Sequence, residues 1–144
     1  MTDIPRISPV EANAKLADGW TYVDVRTTQE FEAGHPAGAF NVPLSHREGP
    51  NPDFLPVMKA VFANDAKIVV GCKAGVRSLR AAQALAAAGF TSVVDQRAGW
   101  DGVRSPFGQL LEPGWTQNDL PKEDGVPAGR AWLDLKSKIQ AAAE

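Results

Sequence analysis

Lys67-Ile68-Val69-Val70-Gly71-Cys72-Lys73-Ala74-Gly75-Val76-Arg77-Ser78 (KIVVGCKAGVRS) is the stretch on which the reading of this chain turns. Its first five residues form an apolar run bounded by breakers, the pattern of a central strand buried on both faces of a parallel sheet. After a short glycine loop, the alanine-rich residues Ser78 to Ala88 predict a helix ending at Gly89. Thr91 to Asp95 (TSVVD) predicts another short strand. Strand, crossover helix and strand together are the grammar of a parallel sheet with helices on its faces.

The same alternation extends upstream. Ser8-Pro9-Val10-Glu11 has the form of a capping box, with Pro9 at the first helical position and a short helix running to about Gly19. Trp20 to Val25 is β-branched and aromatic, a buried strand, and Thr28 to Ala33 predicts a short helix stopped at Gly34. Ala39 to Val42 reads as a strand cut off by Pro43, and Phe54 to Ala63 as a helix. The expected fold class is therefore α/β, one domain over residues 5–105 with a central parallel sheet flanked by helices on both faces. Residues 106–128 are broken by Pro106, Pro113, Pro121 and Pro127 and are expected to form a loop, with Asp119 to Gly125 exposed. Residues 129–141 place Trp132, Leu135 and Ile139 on one helical face. Residues 106–144 are expected to pack as loop and helix on the same domain.

Composition narrows the function classes. The chain has 144 residues, of which 44% are hydrophobic and 22% charged, near the averages of a globular protein. A length of this order supports one hydrophobic core. Its formal net charge of −2 gives no electrostatic footprint for nucleic acid. No apolar run approaches the roughly 20 residues of a membrane span, and the start lacks the apolar core of a secretory signal, so the expected location is cytoplasmic, away from membranes. The single cysteine, Cys72, excludes an internal disulfide and a multi-cysteine metal site.

Cys72 comes directly after the KIVVG strand, and ligands of open parallel sheets bind beyond the carboxyl ends of strands. Ala74 and Gly75 let the backbone turn tightly, so that loop amides and the start of the following helix favour an anion at one point. Such surroundings lower a thiol's pKa from about 8.5 into the range of roughly 3.5–7.5 and so raise its nucleophilicity. From Lys67 to Val94 there are four basic residues, Lys67, Lys73, Arg77 and Arg80, and no acidic one. Arg77 has pairing with a nearby carboxylate as its competing role. Asp24 and Arg26, at the end of a neighbouring strand, are expected to support the loop chiefly as an ion pair, with Glu30 as another partner for Arg26. The chemistry requires an ionised thiol that solvent reaches; a shielded thiol of ordinary acidity would undercut it.

Cys72-Lys73-Ala74-Gly75-Val76-Arg77-Ser78 resembles the active-site loop of the rhodanese (sulfurtransferase) family. Tyr22-Val23-Asp24-Val25-Arg26 resembles that family's V-D-V-R strand. Glu30-Phe31, Gly34-His35, Gly38-Ala39 and Asn41-Val42-Pro43 resemble its E-F…G-H-I-x-G-A-x-N-x-P stretch. The match runs over about residues 7–105. Pro36 departs from the usual isoleucine, and Arg97-Ala98-Gly99-Trp100 stands where a glycine pair is common, near the mouth of the family's site.

The resemblance implies a single rhodanese domain with Cys72 as a sulfur-carrying nucleophile. Cys72 would take sulfane sulfur from a small anionic donor such as thiosulfate and pass it to cyanide, a protein thiol or a low-molecular-weight thiol, with no metal or organic cofactor. Residues Lys73, Ala74, Gly75, Val76, Arg77 and Ser78 would bind the substrate, their amides cradling the persulfide and Lys73 and Arg77 attracting the anion. Asp24 and Arg26 would support them. A rhodanese-like module that binds, regulates or carries sulfur without turnover is the alternative. A phosphatase or arsenate reductase fits less well, because those loops separate cysteine from arginine by five residues, whereas Cys72 and Arg77 are separated by four and Ser78 stands in the arginine's place. His35 resembles a turn-tethering position, and Trp100 and Phe107 are candidates for an apolar entrance or for core packing.

Overall fold

Strand and helix alternate from the first residues of the computed structural model, which describes residues 3–143 and, in its last helix, side chains as far as residue 139. The chain runs β1 (Arg6–Ile7), α1 (Pro9–Ala17), β2 (Thr21–Asp24), α2 (Thr28–Ala33), β3 (His35–Pro36), β4 (Phe40–Asn41), β5 (Ser45–His46), β6 (Gly49–Pro50) and α3 (Phe54–Val61). It continues through β7 (Lys67–Gly71), α4 (Val76–Ala87), β8 (Ser92–Gln96), β9 (Val103–Arg104), β10 (Leu110–Glu112), β11 (Lys122–Glu123) and α5 (Trp132–Ala143). Five strands form one sheet in the order β1-β8-β7-β2-β4, and every neighbouring pair is parallel. The expected α/β class with a central parallel sheet is what the structure has.

Strand periodicity distributes the core between the two faces. From β7, Ile68 and Val70 join Val23, Leu85, Met58, Trp132 and Leu135 under α3, α4 and α5. Val69, between them in sequence, faces the other way and packs with Ile7, Ala12, Tyr22, Phe31, Val94 and Trp115. Each such side chain taken fully out of water contributes about 1.5–3 kcal/mol, so covering both faces is what makes a wholly apolar central strand favourable.

Local caps explain where helices begin. Ser8 accepts from the Glu11 N–H at 3.1 Å, and the Glu11 carboxylate accepts from the Ser8 N–H at the same distance. Thr27 and Glu30 form a second such box at the start of α2. Helix α4 begins at Val76, earlier than the expected Ser78, because Gly75 caps it with φ of 92°, a left-handed conformation that glycine adopts at no steric cost. Val76 and Arg77 therefore belong to the first helical turn rather than to the loop.

The region expected to be loop contains more structure than its prolines suggest. β9 and β10 make a hairpin, and Lys122–Glu123 pairs antiparallel with His35–Pro36. Asp119, Pro121, Lys122 and Asp124 are exposed, as expected, but Leu120, Glu123 and Gly125 are partly covered, Glu123 because its carboxylate is engaged by Arg130 and His35. Its Oε1 accepts from Arg130 at 2.7 Å and lies 3.1 Å from His35 Nε2. His35 is fully buried with Nδ1 2.6 Å from the Phe31 carbonyl oxygen, which fixes the turn it resembles in sequence. Among the described residues, no helix is long and apolar enough to cross a membrane.

Candidate active site

The order of strands reverses between β2 and β7: the chain builds outward from β2 to β4, then crosses back to lay β7 on the other side. Asp24 pairs with Gly71 in register, so the loops after both strands leave the sheet at one level. A crevice forms at such a switch point, and Cys72 is the first residue beyond β7 there. Gly71 suits this position because a Cβ on it would run into the Tyr22 hydroxyl.

Gly75 turns the chain back over the sulfur. A Cβ at this position would collide with the Arg97 carbonyl oxygen, so packing and backbone conformation both demand glycine. The Gly75 N–H donates to Cys72 Sγ at 3.0 Å, and Ser78 Oγ, itself fully buried, lies 3.4 Å from the same sulfur. With the thiol protonated, S–H donates to Ser78; once it ionises, the hydroxyl rotates and donates to sulfur. The N-terminus of α4 adds the positive end of its dipole.

A second turn braces this loop from below. Trp100 N–H donates to the Cys72 carbonyl at 2.8 Å and Asp101 N–H to the Lys73 carbonyl at 3.0 Å. Gly99 has φ of 68°, and a Cβ on it would strike the Lys73 carbonyl, so this position needs glycine while its neighbour Ala98 does not. Gln96 shapes the turn: its Oε1 accepts from the N–H groups of Ala98 and Gly99 at 2.9 and 2.7 Å, and its Nε2 donates to the Gly99 carbonyl at 3.0 Å. The departure at Arg97-Ala98-Gly99-Trp100 thus preserves the close approach that the site requires.

Lys73, Ala74 and Val76 are exposed, and Lys73 makes no ion pair among the described residues. Arg77 takes up the carboxylate pairing expected as its competing role: its guanidinium grips Glu30, with Nη1 to Oε1 at 2.7 Å and Nη2 to Oε2 at 3.1 Å. Burial pushes the Glu30 carboxyl up, but Arg77 and the Thr27 cap outweigh it and bring it down to about 2. Asp24 and Arg26 form the expected ion pair, 2.7 Å apart and nearly buried, and Arg26 also donates to the Gly34 carbonyl at 2.6 Å rather than to Glu30. Burial opposes the Arg26 charge, yet Asp24 raises its pKa overall.

The expectation of an open thiol is corrected. Cys72 is 2% exposed, because the central strand delivers it beneath a loop that is closed from above by Gly75 and Ser78 and from below by Gly99 and Trp100. Trp100 covers Arg26, whose guanidinium carbon is 5.0 Å from the ring centre. Phe107 is 97% exposed at the β9–β10 turn and does not form an entrance. Beside the loop, a groove of about 520 Å³ is lined by Arg6, Ala74, Gly75, Arg80, Arg97 and Glu112, among others; Arg97 pairs with Glu112 and Arg6 with Asp95, which leaves Arg80 as the arginine of its walls without an ion-pair partner among the described residues.

Sequence reasoning missed Arg6, Asp95 and Gln96. Arg6 donates to the Gly75 carbonyl at 3.0 Å and to Asp95 Oδ2 at 2.7 Å. Asp95 and Gln96 end β8 as Gly71 ends β7, so the rule that flags Cys72 would have flagged them had it been applied to every strand.

A family model for the rhodanese-like domain matches residues 8–105, which take in all of these elements from α1 to β9. The chain belongs to the rhodanese-like domain family. It is 38% identical over 119 residues to thiosulfate sulfurtransferase 16, chloroplastic, of Arabidopsis thaliana, covering 80% of this chain and 89% of that protein. Senescence-associated protein DIN1 of Raphanus sativus is also 38% identical, over 126 residues; the match takes in 84% of this chain but only 62% of the radish protein. The crystal structure of Rv0390 from M. tuberculosis superposes with a TM-score of 0.74 at 25% identity, covering 86% of this chain and all of that one. The cytoplasmic location expected from sequence finds no support in these names. Within this rhodanese domain the single cysteine fits a persulfide role.

Proposed function

We propose that this rhodanese domain is a sulfurtransferase that moves sulfane sulfur through a Cys72 persulfide, with a small anion of the thiosulfate type as donor and cyanide or a thiol as acceptor. The Cys72 thiolate attacks the outer sulfur of the donor, an S–S bond forms, and sulfite leaves with the electron pair of the broken bond. The acceptor then attacks the outer persulfide sulfur and returns Cys72 to a thiolate. The observation that carries this reading is the convergence of the Gly75 N–H and the Ser78 hydroxyl on Cys72 Sγ at the switch point of the sheet. Lys73 and Arg80, both exposed and without an ion-pair partner among the described residues, favour an anionic donor. Asp24 and Arg26 support the loop by fixing the neighbouring strand end, and Arg77 steadies α4 through Glu30 while its charge still acts on the sulfur.

Burial of Cys72 favours a second reading, a sulfur-carrying or binding module without turnover. Mass spectrometry after incubation with thiosulfate separates the two. With thiosulfate and cyanide both in excess, a sulfurtransferase gains the mass of one sulfur atom and releases thiocyanate over many turnovers, whereas a carrier forms the persulfide without turnover and a binding module gains no mass. Cys72→Ser abolishes both steps; full transfer by that variant sinks the mechanism. Lys73→Ala raises the KM for thiosulfate a few-fold, as an exposed charge contributes up to about 1 kcal/mol, and leaves an uncharged donor unaffected. Phosphate-ester hydrolysis is disfavoured by Arg77, which is turned to Glu30 and does not close a ring around the sulfur.

A further inference from the structure

Arg6 precedes residues 8–105 of the rhodanese-like match, yet its side chain reaches the Cys72 loop. The sheet sets its place. In the parallel pair of β1 and β8 it lies beside Asp95, and the backbone is held on either side of it, by the Asp95 N–H donating to the Pro5 carbonyl at 2.9 Å and the Arg97 N–H to the Ile7 carbonyl at 3.0 Å. Arg6 Nε donates to Asp95 Oδ2 at 2.7 Å and Nη2 to the Gly75 carbonyl at 3.0 Å. One planar guanidinium thus spans from a fully buried carboxylate to the turn over the sulfur.

The peptide that Arg6 grips is the one that opens α4. Gly75 has φ of 92° and ψ of −1°. At that ψ the Val76 nitrogen eclipses the Gly75 nitrogen, and the Gly75 carbonyl points away from both. In a planar trans peptide the Val76 N–H points opposite to that carbonyl. A left-handed residue followed by a right-handed helical one turns successive N–H groups towards one side, the arrangement of an anion-binding nest. The Gly75 N–H donates to Cys72 Sγ at 3.0 Å. Val76 N–H, the first amide of the helix, has no acceptor within it.

We propose that Arg6 is a positioning residue for sulfur transfer: by holding the Gly75 carbonyl outward, it aims the Val76 N–H at the outer sulfur of a Cys72 persulfide while the Gly75 N–H stays on Sγ. The guanidinium also polarises the peptide it grips, because a charge-assisted bond to the carbonyl makes the N–H at the other end a stronger donor. Arg6 acts by direction more than by charge, since its side chain is 40% exposed and solvent screens it. Asp95 is the anchor that keeps the fork in one orientation.

This role presupposes the Cys72 persulfide, whose formation is read first, as one added sulfur mass after thiosulfate; absence of that mass refutes the persulfide itself. Excess thiosulfate is then removed, and the amide proton resonances of isotope-labelled protein are compared before and after loading. The Val76 amide proton moves downfield on loading in the unmodified chain and stays in place in Arg6→Ala. At saturating thiosulfate, Arg6→Ala forms the persulfide roughly 10- to 100-fold more slowly, short of the loss of about 10²–10³ for outright removal of such a donor, with KM changed no more than a few-fold. Arg6→Lys keeps the charge without the planar fork; it keeps the parental KM but, like Arg6→Ala, loses rate and the Val76 displacement. Asp95→Asn takes a negative charge away from the site but loosens the fork, so persulfide formation slows.

A Val76 amide that does not move on loading in the unmodified chain overturns the proposal without use of any variant, as does a parental rate at saturation in Arg6→Ala or Arg6→Lys. An unchanged or faster rate in Asp95→Asn also overturns it, the result expected if charges near Cys72 act without positioning. If Arg6→Ala lowers the urea midpoint but keeps the Val76 displacement on loading, Arg6 only stabilises the fold, and the proposal fails.

Discussion

The Cys72 loop is held from two sides, and the two sides are made of different material. On the inner side the support is backbone. The turn at residues 97–101 donates to the carbonyls of Cys72 and Lys73, and is itself held by Trp115, whose N–H donates to the Gly99 carbonyl at 2.8 Å. On the outer side the support is a pair of charges, Arg77 and Glu30, each about 30% exposed. Fixed peptide groups buried against an apolar floor are difficult to displace, while partly hydrated charges respond to pH and salt. The nucleophile is positioned by the first kind of contact and the start of its helix is steadied by the second.

Removing the floor of the inner support has the largest expected effect. Trp115 is fully buried, packs edge-on to Tyr22 with ring centres 5.4 Å apart, and donates from Nε1 to the Pro121 carbonyl at 2.8 Å. Trp115→Ala is expected to destabilise the domain by about 3–5 kcal/mol, the range for truncating a buried aromatic. Denaturant melts check this; a loss below about 1 kcal/mol would mean that the inner brace stands without its floor.

Trp115 also marks where the sequence ceases to be readable. Strand β7, the position of Cys72 beyond it, the Ser8 cap and the alternation of the two faces were all legible, because each follows from neighbours a few residues away. Tyr22 against Trp115, His35 against Glu123 and Gly75 against Arg6 are distant from them in sequence, and no local pattern announces them. Within the site the same division holds. The glycine turn and its nucleophile were readable, whereas the capture of Arg77 by Glu30 depends on α2 and α4 meeting in space, and the burial of Cys72 depends on a turn following β8. Thr27-x-x-Glu30 did carry a local signal, a capping box, which would have placed Glu30 at a helix start facing the crevice.

The outer support is expected to give a smaller, pH-dependent effect. The Glu30 carboxyl is held at about 2 in the folded chain against an ordinary value of 4.5. A carboxylate with a lowered folded pKa contributes stability in full above its unfolded value, and that contribution is lost as pH falls from there through the folded value. Glu30→Gln keeps the capping geometry and removes the charge. It is expected to cost about 1–2 kcal/mol at neutral pH, less than the whole shift implies because solvent screens the pair. The difference between the two chains should close as pH falls from 4.5 towards 2, measured by thermal melts along that window. A difference constant with pH would show that Glu30 acts through its cap alone.

The smallest effect is expected where neither support reaches. Phe107 sits in the β9–β10 turn, 97% exposed, and its N–H donates to Ser105 within the same turn. Phe107→Ser removes an apolar ring from water contact and leaves the Ser105 hydrogen bonds intact, so stability should change by no more than about 0.5 kcal/mol. Persulfide formation from thiosulfate should also proceed at the parental rate, because the hairpin supplies no group to Cys72. If Phe107→Ser instead slows transfer to a protein thiol while transfer to cyanide is unchanged, the ring acts in docking the acceptor rather than in holding the loop. A loss with cyanide as well would mean that the hairpin braces the Cys72 loop from a third side.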